Sequence, residues 1–265
     1  MEDLAVVVNS YNENVTVKET IDIIKSNGFN NVFLQWYDKN DIDLKQEEQL
    51  KYIKENNMNV IFVHLRFNNI DSLWENSDLT KIEIQKYKDD LKYLKDNNID
   101  LVIMHAIRKL KLDKENKYFI NNIKEIVKYA EELEIKIAFE NTKVYGVLEY
   151  IFDNIDSDYI GICYDFGHDH AFFNDDFDFN RFKNKILAVH IHDNFGFEDE
   201  HLLPFDGSID FERVIAKLKV ANYKGPITLE LCYKGDYTIK YTLDEFYKEA
   251  YKRGIELKNI IDKLL

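Results

Sequence analysis

KIAFEN (136–141), VLEYIFDNI (147–155) and YIGICYDF (159–166) follow one another with short polar joints, and their reading decides the fold. The first and third are β-branched and aromatic runs of strand length, while the middle one spaces its apolar residues three and four apart, as a helix does. Strand, helix and strand in such quick succession imply two parallel strands joined by a crossover helix.

The same alternation extends in both directions. Six further strand-like runs are LAVVVN (4–9), NVFLQW (31–36), NVIFVHL (59–65), DLVIMHAI (100–107), ILAVHIH (186–192) and PITLEL (226–231). Helical periodicity marks VKETIDIIKSNG (17–28), QEEQLKYIKENN (46–57), EIQKYKDDLKYLKDNN (83–98), FINNIKEIVKYAEELE (119–134) and FERVIAKLKVANYKG (211–225), several of which end in Asn or Gly. DDFDFNRFKNK (175–185), short and rich in aromatics, is expected to be the sixth helix, and residues 242–265 a long final one. Eight strand–helix repeats predict an α/β fold of the (β/α)8 barrel type, with its active site at the C-terminal ends of the strands. A doubly wound nucleotide fold would carry a glycine-rich turn after its first strand, and VVVNSYNENVT has none.

The chain has 265 residues, 45% of them hydrophobic, with two prolines and no Gly/Ser-rich linker, which predicts one folded domain over residues 1–265. No apolar run approaches the ~18 residues of a membrane helix, and MEDLAVVVNSYNE opens with acids, so a soluble, cytoplasmic protein with no membrane partner is expected. Cys163 and Cys232 lack any CxxC pairing and read as reduced packing residues. A net charge of −14 counts against nucleic acid as a partner, although metal ions in an acidic cleft would cancel part of it.

In a barrel, the inward residues at the strands' C-terminal ends line the mouth. Polar residues collect there: His64 and Arg66 on strand three, His105 on four, Glu140 on five, Asp165 followed by His168 on six, His190 and His192 on seven, and Glu230 on eight, with Asp199 and His201 in the loop after strand seven. Taken singly, each could be a hydrogen-bonded core residue; their convergence carries the inference. Imidazoles and carboxylates without thiolates are ligands for a divalent ion such as Zn, Mn, Co or Mg.

These residues resemble a family, the xylose-isomerase-like TIM barrels, through FEN at strand five, YDFGH at six, VHIHDN at seven, DEHLLPFDGSIDF after it and TLEL at strand eight. The family includes sugar isomerases and epimerases, inosose-type dehydratases and isomerases, and endonuclease IV. In the isomerase branch the resemblance implies one divalent ion held by Glu140, Asp165, His190 and Glu230. Glu140 and Glu230 would exchange a substrate proton and His168 would reach the substrate, here a sugar, sugar phosphate or cyclitol. In the endonuclease IV branch it implies three zinc ions on nine ligands, all matched here by His64, His105, Glu140, Asp165, His168, His190, Asp199, His201 and Glu230. One ion is expected, with ligands for two or three at hand. The alternative to the isomerase is then a multi-zinc phosphoesterase, and a non-enzymatic sugar-binding barrel is a third reading.

Departures weigh against DNA as substrate. NSYNEN stands where the DNA enzymes carry an HxSxxGG-type opening, and the loops after the first three strands show no basic and aromatic insertions to grip a duplex. Phe205 replaces the first glycine of a DxHxxPGxG pattern, leaving open whether Asp199 and His201 reach the site.

Substrate contacts are expected from Arg66, favoured for sharing the inward parity of His64, and from His192, Trp36, Asn141 and Lys143. Arg108 and Lys234 also stand where a cation could meet a phosphate or carboxylate, with a solvated rim charge as the alternative. Tyr37 could stack on a sugar, and Asn9 and Gln35 could bond hydroxyls. His170 reads as a supporting residue, Asp193 as a structural one at the strand end, and NDDFD (174–178) as a solvated helix start. A homo-oligomer is allowed but not indicated.

Overall fold

The computed structural model describes residues 4–8, 15–36, 44–109 and 116–264; Asn9 and Tyr37 lie outside the described residues. The eight expected strands all form: β1 Leu4–Val7, β2 Asn31–Gln35, β3 Asn59–His64, β4 Leu101–Met104, β5 Lys136–Glu140, β6 Ile160–Asp165, β7 Ile186–His190 and β8 Ile227–Leu229. They pair in parallel in the order β7-β6-β5-β4-β3-β2-β1-β8. A parallel bridge between Ile191 and Leu229, with Ile191 N donating to Thr228 O at 2.9 Å and Glu230 N to Ile191 O at 3.1 Å, brings the two ends together. The result is a nearly closed TIM barrel.

Helices α1 Val17–Ser26, α2 Gln46–Glu55, α3 Asp78–Asp96, α4 Lys117–Glu132, α5 Val147–Asn154, α6 Phe166–Phe173, α7 Phe211–Ala221, α8 Asp236–Lys240 and α9 Leu243–Leu264 accompany the strands. None is long and apolar enough to cross a membrane. Local chemistry sets several starts: Thr16 and Glu19 form a reciprocal cap on α1, and the Asn116 and Asp210 side chains cap α4 and α7. The helices' apolar faces, such as Ile21 and Ile24 of α1 and Ile123 and Ile126 of α4, bury against the outward strand residues Val6, Val32, Val63, Ile137 and Ile162.

Period-2 alternation turns the other residues inward. Val7, Phe33, Phe62, Ile103, Ala138, Cys163 and Ala188, one from each of β1 to β7, form a separate apolar plug inside the barrel. Two residues further along their strands stand Gln35, His64, His105, Glu140, Asp165 and His190. One strand direction thus yields a packed floor below and a polar layer above it.

Two expectations are corrected. Residues 175–185 are turns and irregular backbone; the sixth helix is FGHDHAFF, which begins directly at the end of β6. Asp165 ends the strand and caps this helix through Oδ1, which accepts from His168 N at 2.7 Å. The helix expected at 83–98 starts earlier, at Asp78, and a 3-10 turn, Ile70–Trp74, precedes it in the connection after β3.

Candidate metal centre

Glu140 is buried and surrounded by imidazoles. Its Oε2 lies 3.0 Å from both His64 Nε2 and His105 Nε2, and its Oε1 lies 3.3 Å from His168 Nδ1 and 3.4 Å from His190 Nδ1. His190, fully buried with its ring stacked 5.2 Å above Phe33 of the apolar plug, directs the same Nδ1 to Glu230 Oε2 at 3.1 Å and to Asp165 Oδ2 at 3.8 Å. Asp199 completes the ring: its Oδ2 stands 3.2 Å from both His168 Nε2 and His201 Nε2.

Backbone carbonyls fix the tautomers of three of these imidazoles. Nδ1 of His64, His168 and His201 lies 2.9–3.0 Å from the backbone carbonyl of Leu65, Asn141 and Glu230 respectively. A carbonyl only accepts, so each Nδ1 carries the hydrogen and each Nε2 turns its lone pair toward a carboxylate oxygen. Two lone pairs facing each other at ~3 Å need a cation between them, either an extra proton or a metal ion. The carbonyl-anchored imidazole is the usual support of a histidine ligand. Asp165 Oδ2 and His190 Nε2 are buried with no hydrogen-bond partner among the described residues, at a cost of roughly 1–3 kcal/mol each unless something binds them; His192 Nε2 and Asp199 Oδ1, also without a well-formed hydrogen bond, face each other at 3.4 Å.

Three sets of ligand atoms lie close enough to hold an ion: Glu140, Asp165, His190 and Glu230; His64, His105 and Glu140; and His192, His201 and Glu230. The donor set therefore fits divalent metal, and Glu140 belongs to two of the groups.

Without metal, protons must serve as the cations. Burial works against charge on His168, but Asp165, Asp199 and Glu140 outweigh it and lift its pKa to about 10. His190 and His201 are likewise raised against burial, the first by Cys163, Glu230 and Glu140 and the second by Asp199 and Glu230. Burial would raise Glu140, Glu230 and Asp199, yet their histidine neighbours hold all three below the usual carboxylate range. Burial lowers His105 despite Glu140 beside it.

Above the polar layer opens a cavity of about 270 Å³, lined by His64, His105, Glu140, His168, Asp199, His201 and Glu230 together with Gln35, Arg108 and Lys143. Asp199 and His201 therefore do reach the site. Their loop is organised by Asp193, which accepts from the backbone N of Asn194, Phe205, Gly207 and Ile209 at 2.8–3.1 Å. Phe205 takes the left-handed conformation (φ 73°) that a glycine would adopt freely, and His201 does the same (φ 54°).

Four of the expected substrate contacts do not line the cavity. The Arg66 guanidinium pairs with Asp90 of α3 through Nε at 2.8 Å and Nη2 at 2.7 Å. Trp36 is buried and donates Nε1 to the same carboxylate at 3.0 Å. Asn141 braces the end of β6, its Oδ1 accepting from Asp165 N and its Nδ2 donating to Asp165 O. His192 is fully buried under the loop after β7, stacked 4.1 Å from His201, with Nε2 3.2 Å from Asp165 Oδ1. It joins the ligand atoms instead of the mouth. Lys143 does line the cavity. His170 lies outside it, bonding Asp175 at 3.0 Å and Ser208 at 2.9 Å, and so ties α6 to the loop before α7. Sequence reading missed Phe67, Thr142, Phe172 and Cys232 as lining residues. Phe67 stacks 4.3 Å from His105, a pairing that no strand-end rule would find.

Comparison with known proteins agrees with this architecture. Over 139 residues the chain is 33% identical to the uncharacterized protein y4fM of Sinorhizobium fredii, covering 51% of this chain and 42% of that one. Over 186 residues it is 32% identical to the uncharacterized protein MJ1311 of Methanocaldococcus jannaschii, covering 64% of each. The chain thus spans less than two thirds of these curated relatives. Among solved structures, a D-tagatose 3-epimerase-like protein superposes with a TM-score of 0.73 at 24% identity, covering 99% of this chain and 98% of that one. The IOLI protein with a binding zinc atom gives 0.78 at 19%, covering 99% of both. A D-psicose 3-epimerase from Clostridium cellulolyticum gives 0.77 at 16%, covering 98% and 99%. At these identities the structural likeness speaks for the fold. The model of one family matches residues 21–257, nearly the whole chain, and the protein belongs to that family, the xylose isomerase-like TIM barrels.

Proposed function

We propose that the chain is a divalent-metal-dependent isomerase or epimerase of a small carbohydrate, acting by proton transfer beside a carbonyl; dehydration of a related polyol would use the same groups. The observation that carries this reading is the pair Glu140 and Glu230. They are buried carboxylates from separate strands, brought together at one imidazole nitrogen and both lining a polar cavity of monosaccharide size. Glu140, Asp165, His190 and Glu230 would hold the ion, be it Zn, Mn, Co or Mg. When bound, a divalent ion there polarises a carbonyl and its neighbouring hydroxyl and lowers the cost of removing the intervening C–H proton.

The remaining roles belong to the chain. Glu140 and Glu230 take and return the proton, and Gln35, which donates Nε2 to Glu230 Oε1 at 3.0 Å, orients that carboxylate. His168, at the cavity wall, donates to a substrate oxygen from Nε2 in its imidazolium form, which Asp165, Asp199 and Glu140 favour against burial. The epimerase and zinc-binding names of similarly folded proteins lend support.

A second reading, multi-ion hydrolysis of a phosphoester, is favoured by a specific observation: the convergence of His64 and His105 on Glu140 Oε2, and of His168 and His201 on Asp199 Oδ2. If ions fill those places, both oxygens of Glu140 are occupied and it cannot accept a proton.

Metal content decides between the two when joined to a chemical readout. The isomerase reading expects metal-dependent exchange of the carbonyl-adjacent proton of a ketose into D2O. Three ions per chain, hydrolysis of bis(p-nitrophenyl) phosphate and no such exchange across a ketose panel would favour the hydrolase.

A further inference from the structure

The cavity wall is electrically lopsided. Arg108 and Lys143, just past β4 and β5, line one side. In a chain with 49 acids and 35 bases, a cation at a cavity usually finds a carboxylate. Among the described residues, the carboxylate beside Arg108 binds its backbone: Asp71 accepts from the backbone N of Arg108 at 2.7 Å and of Lys109 at 3.0 Å. The Arg108 guanidinium instead lies 5.5 Å over the Phe67 ring, held toward the cavity that both residues line. Lys143 is exposed at the rim, and Thr142, on the same wall, is nearly buried.

The other side of the mouth has the opposite character. Past Asp199 and Cys232 the cavity meets a groove of about 620 Å³ bearing Glu198, Glu200, Asp206 and Asp236 against Lys234 and Lys240. A group with negative charge is repelled there and drawn toward Arg108 and Lys143.

We infer that Arg108 and Lys143 form an anion subsite that selects a carbohydrate carrying a phosphate or a carboxylate and fixes which end faces the metal ligands. The guanidinium supplies paired donors for a planar or tetrahedral oxyanion, and the ammonium supplies a mobile second charge from the same wall. The inference rests on the carbohydrate reading of the site and names the substrate class within it.

Calorimetric titration of the metal-loaded protein with D-fructose, D-fructose 6-phosphate and 2-keto-D-gluconate tests it. At least one anionic ligand is expected to bind about tenfold or more tightly than the neutral ketose, as charge-assisted hydrogen bonds allow. Preference confined to the 6-phosphate identifies a phosphate subsite, and preference shared by the keto acid a general oxyanion subsite. In the double variant R108Q/K143Q the preference is expected to fall to within about twofold, with metal content unchanged and the larger part of the loss borne by the anionic ligands. Lys143→Gln alone, at an exposed position, should remove part of it and guards against misfolding of the double variant.

Equal binding of neutral and anionic ligands, failure of all three to bind, or a preference that survives both variants because the anion sits on the metal would each overturn the subsite. Anion preference without proton exchange in any ketose would instead leave the subsite standing and overturn the isomerase reading.

Discussion

Glu140 has one side chain and four imidazole neighbours, and its chemistry depends on how many of them share an ion with it. Glu140→Gln and Glu230→Gln keep the shape but lose the charge and the proton-accepting oxygen. Each is expected to lower proton exchange by about 10²-fold or more, since a positioned general base contributes that order; exchange kinetics in D2O check this, and wild-type rates in both variants would refute the assigned roles. His64 and His105 allow a second test at the same scale. Their combined replacement by alanine leaves Glu140, Asp165, His190 and Glu230 in place, so the single-ion isomerase reading expects unchanged metal stoichiometry by elemental analysis, with the four-residue group still loaded. One ion fewer per chain would place an ion on His64 and His105 and favour the multi-ion hydrolase.

At the scale of elements, the site depends on how α6 and the loop after β7 close over the strand ends. Gly167, in the first turn of α6, lies so near His192 that an added Cβ would fall 1.8 Å from its Cε1. Gly167→Ala must push either the helix or the imidazole, at a cost of about 1–3 kcal/mol in overpacking together with weaker metal retention, measurable by denaturant unfolding and chelator competition. The strands and their polar layer were legible in the sequence because period 2 puts His64, His105, Glu140, Asp165 and His190 two residues past plug residues, and local pattern alone reveals that. The sixth helix was not, because FGHDHAFF lacks amphipathic spacing and local pattern favours a helix at 175–185 instead; its one local signal was Asp165 three residues before His168, the spacing of a helix cap. Arg66 and Trp36 were misplaced for a different reason. Both are claimed by Asp90, 24 and 54 residues away along the chain, and no local rule foresees a partner at that distance. His192 has the inward parity expected of it, but the loop pinned by Asp193 folds over it and removes it from the mouth.

At the scale of the molecule, the centre links metal loading to acid–base stability. In the metal-free chain His168 titrates at about 10 instead of near 6.5, and His190 and His201 are raised as well. A raised histidine stabilises the fold fully below the unfolded value of about 6.5 and loses that contribution as pH climbs through the folded value. Glu140, Glu230 and Asp199 are depressed, so their contribution is present above the unfolded carboxylate range and is lost as pH falls through it. His105, which burial lowers, opposes the other histidines only below about 6.5. The metal-free protein is therefore expected to be most stable between about pH 4.5 and 6.5. From 6.5 toward 10 it should lose about 1.4 kcal/mol per pH unit for each proton held only by the folded state, or a few degrees of Tm per unit. An ion on Glu140, Asp165, His190 and Glu230 requires a neutral His190 and replaces its proton, so the loaded protein should lose Tm less steeply over the same window and release protons on loading. Scanning calorimetry of both forms from pH 5 to 10 tests the linkage. Parallel Tm curves for the two forms would mean that the histidine–carboxylate ring is satisfied without metal, and would remove the physical basis for a metal centre in this barrel.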